Sequence, residues 1–246
     1  MGISNDDLNG TERSAPFNCT LDSVTSVTTA DASRLPGRAR EARANDDAVL
    51  RAAREVFAEQ GYDAPMAAVA QRAGVGVGGI YRRYANKDAL IDELRRSALD
   101  AIVSTARSSA QASLGDERGA VGAFLTSYLE TAGTRLSSVL NRSTPLTPEL
   151  SRLSAELHDA LTALIELDRP RGLVPHDFSA GDIMAATLHL RPVAAVDPSE
   201  DRERNRRHLD YFLLGLRAAA ANPVTAGIAT SWDDWMRLNS MPSGDA

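Results

Sequence analysis

Two sets of residues in this 246-residue chain could do chemistry. The first is the glycine run Gly74-Val75-Gly76-Val77-Gly78-Gly79, followed closely by Tyr81, Arg82, Arg83 and Lys87. A tyrosine hydroxyl and an ammonium can each donate to a phosphate oxygen, and a guanidinium can engage two acceptors at once. Lys87 is the only lysine; the remaining basic residues of the 27 are arginines, an abundance that carries no functional meaning by itself. The second set is dispersed: His158, His176, His189 and His208, none at H-x-x-x-H spacing, and the single cysteine Cys19. One cysteine excludes a disulfide framework and a thiolate zinc site. No Ser/His/Asp grouping has a local motif behind it, and Asp46-Asp47 sit where helix capping accounts for them. The sequence therefore predicts no catalytic residue, no metal and no cofactor.

Gly74 to Gly79 does spell G-x-G-x-x-G, the dinucleotide fingerprint. That fingerprint works when a strand precedes the glycines, a helix opens on them, and an acidic residue follows about 20 positions on. Here the preceding residues have helical period, a two-turn helix follows, and no βαβ repeat lies downstream. A nucleotide-dependent enzyme using Gly74–Gly79 remains the alternative from another functional class. An all-helical protein-interaction module is a third reading.

The elements around the glycines are legible. Asn45 is expected to cap a first helix with Val49, Ala53, Val56 and Phe57 as its apolar stripe and Gly61 just past its end. Pro65 suits the opening turn of a second helix, with Val69, Ala70 and Ala73 inward and Gly74 closing it. Val77 to Tyr84 form a third helix with Ile80 and Tyr84 inward, and Asn86 caps a long fourth carrying Leu90, Leu94, Ala98 and Ile102. Two short helices joined by a glycine-containing turn make a helix-turn-helix, whose second helix is built to enter a major groove.

Charge is distributed to match. The chain holds 27 basic against 33 acidic residues, a net charge of −6, yet residues 36–87 carry +3 and the flanking parts are acidic. A basic block in an acidic protein is a directional electrostatic signal. Residues 1–35, rich in Ser, Thr, Asp and Asn, lack helical period and are expected to be disordered. No apolar run approaches the ~18 residues of a membrane span and no secretory signal is visible, so a cytoplasmic protein without membrane contact is expected.

Residues 43–94 resemble the DNA-binding domain of TetR-type (TetR/AcrR) transcriptional regulators. The resemblance rests on Phe57 and Gly61-Tyr62, Val69-Ala70, Ala73-Gly74-Val75, Ile80-Tyr81 with Tyr84, and Asn86-Lys87-Asp88-Ala89-Leu90. It implies that Gly76, Val77, Gly78 and Gly79 lie against double-stranded DNA, with Tyr81 and Lys87 on phosphates. Arg82 is the expected base reader, a bidentate partner for guanine, with Arg83 facing solvent or a phosphate. Arg43, with Arg38 and Arg40, could form a basic arm along the DNA, and Met66, which with Pro65 stands where the family often has a DNA-contacting Thr or Ser, is expected at the DNA as well. Gly79 replaces another frequent Thr.

The rest of the chain reads as helical, marked by Val121 to Val139, Leu150 to Leu164, Ile183 to Leu188 and Leu209 to Ala220, with prolines between. The resemblance implies an all-α protein in which a helix-turn-helix domain precedes a larger helical domain that binds a small-molecule effector and forms a homodimer. The expected boundaries are 1–37 extension, 38–95 DNA-binding domain, 96–221 effector and dimer domain, and 222–246 tail. Expected effector-site residues are Phe124, Tyr128, His158, Met184 and His189; expected dimer residues are Leu209, Phe212, Leu213 and Leu216. Tyr211 and Leu214 beside these leucines make a stripe wider than one-sided burial needs. The implied activity is ligand-released repression at a pseudo-palindromic operator, with activation left open. The tail cluster Trp232, Trp235 and Met236 is open to three readings, a cap on the effector pocket, a dock on the partner or packing on its own domain, of which the last is favoured.

Overall fold

The computed structural model describes residues 37–113, 115–131, 147–190, 198–222 and 227–240. Expectations for residues 1–35, for Leu136 and Val139, and for the side chains of Arg38, Arg40 and Arg43 fall outside what is described. Among the described residues the only regular structure is helical: α1 Gly37–Gln60, α2 Met66–Ala73, α3 Val77–Arg83, α4 Lys87–Ala112, α5 Gly119–Thr131, α6 Pro148–Asp168, α7 Ala180–His189, α8 Pro198–Ala221 and α9 Trp232–Ser240. A 3₁₀ turn, Arg169–Arg171, follows α6.

Helix α1 begins at Gly37, so Asn45 lies inside it rather than at its cap. The Ala- and Arg-rich run upstream of Asn45 consists of strong helix formers, and the helix propagates through it. The downstream boundaries follow the turn chemistry. Gly61 and Gly74 take left-handed backbone at φ 77° and 70°. The Val75 N–H then bonds back to Ala70 O at 3.0 Å, closing α2. The Asn86 side chain accepts the Ala89 N–H at 2.8 Å and opens α4.

Within residues 47–246 there are two cores. The first gathers Val49, Val56, Phe57, Val69, Ala70, Ile80, Leu90 and Leu94. The second gathers Val103, Phe124, Leu125, Leu157, Leu161, Leu164, Ile183, Leu209 and Trp235. Helix α4 serves both, its first half closing the former and its second half packing along α5 and α6.

One buried carboxylate organises the second core. Asp168, fully buried at the end of α6, accepts the N–H groups of Ala120 and Val121 at 2.8 and 2.9 Å. It thus caps α5 across the chain, satisfying donors that the helix cannot and placing negative charge at its positive end. Gly119 makes this approach possible: a Cβ there would lie 2.5 Å from an Asp168 carboxylate oxygen.

The tail docks on its own domain. Ser179 and Asp182 form a capping box at the start of α7. The same two side chains hold the tail backbone: Ser179 Oγ donates to Thr230 O at 2.6 Å and the Thr230 N–H donates to Asp182 Oδ1 at 2.9 Å. Trp235 is buried in the second core, the Trp232 ring lies tilted against His158 with 5.2 Å between ring centroids, and Ser154 Oγ donates to Met236 Sδ.

Candidate nucleic-acid interface

The α2–turn–α3 unit is held from behind by apolar packing and by one arginine clamp. Ile80 and Tyr84 are buried against Val69, Ala70, Phe57 and Leu90. Arg72 of α2 pairs with Glu59 at 2.7 Å and Glu55 at 3.0 Å on α1. Hydrogen bonding from Arg72 holds Glu59 below the usual glutamate range, and Glu59 together with Glu55 raises Arg72. Arg54, lowered by burial, donates to Ser97 Oγ at 2.8 Å and ties α1 to α4.

The opposite side of α3 is bare. Tyr81 is 51 % exposed and Val77 40 % exposed. Gly76, Gly78, Arg82 and Arg83 are also exposed, and Gly79 is partly so. Arg82 and Arg83 differ in their surroundings. Glu93 is held below the usual glutamate range chiefly by its hydrogen bonds with Arg96, and the Arg83 charge adds to the effect. Arg82 and Arg83 are both at the surface, and the Arg83 charge is felt at Glu93 of α4.

Lys87, at the first position of α4, is half-buried. Its Nζ donates to Tyr62 O at 2.9 Å and lies 4.9 Å from the centre of the Tyr62 ring. An ammonium has three donors, so this bond leaves two for an outside acceptor.

Met66 departs from the expectation. It is 4 % exposed and packs in the first core with Val69 and Ala70, so its side chain does not reach a surface where DNA could meet it. Pro65 takes the cap position, and the apolar thioether turns inward. Arg43 lies in α1, with its side chain outside what is described.

The expected effector residues do not converge on one cavity. Phe124 is fully buried with its ring 5.8 Å from that of Tyr128, and Met184 is buried in the same core. His158 is half-exposed under Trp232, and His189 is exposed at the end of α7. A shallow groove of about 250 Å³ runs elsewhere, between α4 and α5, lined by Ser104, Thr105, Ser108, Ser109, Ala112, Ala123 and Ser127.

The expected dimer residues face mainly inward. Leu209, Leu213 and Leu216 are buried in the second core and Phe212 packs partly against it. The outward face of α8 carries Tyr211 at 56 % and Leu214 at 59 % exposure, with Gly215 and Ala218 beside them. No group of acidic, histidine or cysteine side chains among the described residues could hold a metal ion, and no helix among them is long and apolar enough to cross a membrane.

Sequence reasoning missed the Arg72 clamp, the Lys87–Tyr62 bond, the Asp168 cap and the Thr230 latch. Each joins residues distant in sequence, and only the clamp left a trace, an arginine placed among glutamates.

A short helix with a bare, cationic outer face, braced by two helices behind it, is the fold of a helix-turn-helix DNA-binding regulator. Residues 49–94 match the sequence profile of bacterial regulatory proteins, tetR family. Among solved structures, the TetR transcription regulatory protein from Mycobacterium vanbaalenii is 25 % identical with a TM-score of 0.51, covering 74 % of this chain and 99 % of that one. A TetR transcriptional regulator from Streptomyces coelicolor is 29 % identical with a TM-score of 0.47, covering 70 % and 97 %. A fatty acid degradation regulator from Bacillus halodurans is 16 % identical with a TM-score of 0.49, covering 73 % and 99 %. No curated protein matches the chain. The profile match identifies residues 49–94 as a DNA-binding domain of the tetR type, and the fold resembles that of a TetR transcription regulator.

Proposed function

We propose that the protein is a ligand-responsive, one-component transcriptional repressor that binds a pseudo-palindromic operator as a homodimer and acts in the cytoplasm. The observation that carries this reading is the outer face of α3, where Tyr81 and Val77 stand exposed beside Arg82. The assigned contacts are Gly76, Val77, Gly78 and Gly79 against the groove, Tyr81 and Lys87 on phosphates, Arg82 on a base, and Arg43 on the backbone nearby. The domains are assigned as 38–95 for DNA, 96–221 for effector and dimer, with 1–37 and 222–246 flanking them.

The second copy is assigned to the outward face of α8. Tyr211, Leu214, Gly215 and Ala218 form one helical face, spaced to meet their own symmetry mates across a twofold axis. A ligand in the larger domain would alter the separation of two α3 helices from the ~34–36 Å that one helical turn of DNA demands.

Selection of bound sequences from a random duplex pool tests the reading. Recovery of a palindrome supports it, and equal recovery of all sequences, or none, overturns it.

A further inference from the structure

Helix α3 is seven residues long, yet Gly76 caps it and Gly78 and Gly79 lie within it. Glycine weakens a helix interior, because it surrenders more backbone freedom on folding than alanine does. A two-turn helix is already short of the length at which helices stand alone. Something must favour glycine here against that penalty.

The chain's own needs do not. Six described glycines, including Gly61, Gly74 and Gly119, sit in left-handed backbone where a side chain is strained. Gly122 and Gly181 are crowded: a Cβ on the first would lie 2.8 Å from Arg118 Cβ and on the second 2.0 Å from Thr230 O. Gly76, Gly78 and Gly79 satisfy neither condition. Their backbone is outside the left-handed region, and a Cβ on any of them would meet nothing within 4 Å. Among the glycines from Gly61 to Gly227 whose surroundings are described, one further glycine shares both properties, Gly215. It lies on the outward face of α8, beside Tyr211 and Leu214. The glycines that the folded chain does not require therefore fall on the two faces assigned above to intermolecular contact.

We propose that Gly79 is a specificity-determining residue of α3, kept without a side chain so that the helix backbone can press against the duplex. This rests on the DNA-binding reading above. Gly79 lies one turn before Arg82 and Arg83 on the same helical face, and Gly78 one turn before Tyr81 and Arg82. With that turn bare, the first half of α3 offers shape and no base-reading side chain. Base discrimination then concentrates at Arg82, one position in each half-site, where a guanidinium can pair with guanine.

Gly79→Ala in the full chain separates the two roles of the residue. Thermal melting is expected to rise by about 2–4 °C, as removal of an interior helical glycine predicts for a chain of this size. Affinity measured by fluorescence anisotropy is expected to fall about tenfold for the duplex selected by the wild type and much less for a random duplex, so that the preference between them narrows. A variant that melts higher and binds as tightly as the wild type overturns the inference while leaving the DNA-binding reading intact. A variant that melts lower also overturns it, because the fold would then require the glycine. A wild-type chain that binds neither duplex defeats the DNA-binding reading itself, and the inference with it.

Discussion

The Lys87 ammonium donates to the main-chain oxygen of Tyr62 at 2.9 Å, and the Tyr62 hydroxyl donates to Asp88 at 2.7 Å. The turn between α1 and α2 is thereby fastened to the first residues of α4. The lone lysine of the chain is at once a brace within the helix-turn-helix unit and a charge at its edge.

Those two roles separate by measurement. Lys87→Ala removes one hydrogen bond, so stability should fall by about 0.5–1.5 kcal/mol. If the remaining donors meet a phosphate, binding should also weaken uniformly across sequences, with the salt dependence reduced by about one ion per contact. Denaturation together with a salt titration checks both; lost stability with an unchanged salt slope would leave Lys87 a brace only.

Asp168 caps α5 across the chain, accepting the N–H groups of Ala120 and Val121. Asp168→Ala would leave the N–H groups of Ala120 and Val121 buried without it. At about 1–3 kcal/mol for each stranded donor, a loss of about 2–5 kcal/mol is expected in chemical denaturation. A loss under 1 kcal/mol would mean that α5 does not depend on the cap.

Gly181 controls the tail. A Cβ there would fall 2.0 Å from Thr230 O and 2.8 Å from Ser231 O, both main-chain atoms. Gly181→Ala should therefore release α9 and expose Trp235, 8 % exposed in the docked state. The expected readout is a red shift of tryptophan emission with a lower Tm. Unchanged emission would show that the latch at Thr230 tolerates displacement.

The dimer assignment makes a separate demand. Leu214→Glu places a charge on the outward face of α8, where Leu214 is 59 % exposed and supports no core. The variant should keep its Tm at low concentration, sediment as a monomer, and lose most of its operator affinity. Leu213→Glu, by contrast, should unfold the domain, since Leu213 is buried. A Leu214→Glu dimer would refute the assignment.

Local chemistry was readable wherever it acts between near neighbours. Gly61 and Gly74 mark helix ends because few other residues accept their backbone, Asn86 marks a start because its side chain reaches the Ala89 N–H, and the spacing of Ile80 and Tyr84 alone turns them inward. Helix rotation was less readable. On α8 the apolar residues Leu209, Tyr211, Phe212, Leu213, Leu214 and Leu216 span most of the circumference, so periodicity does not say which edge is the core. Leu209, Leu213 and Leu216, expected at the dimer interface, lie in the core. Met66 was misplaced for a similar reason: family position suggested a DNA contact, whereas an apolar side chain three and four residues before Val69 and Ala70 joins their core. The effector site was least legible, because aromatic and histidine residues on helices do not reveal whether they line a cavity or fill one.

The central claim is that the exposed face of α3 reads a duplex through Arg82. The most direct test measures wild type and Arg82→Ala against a selected palindrome and a panel changing one symmetric base pair at a time. The expected result is that the wild type loses affinity at one symmetric position by about 1–3 kcal/mol, and that Arg82→Ala no longer distinguishes bases there while keeping its other preferences. If Arg82→Ala retains full discrimination at every position, the account is contradicted.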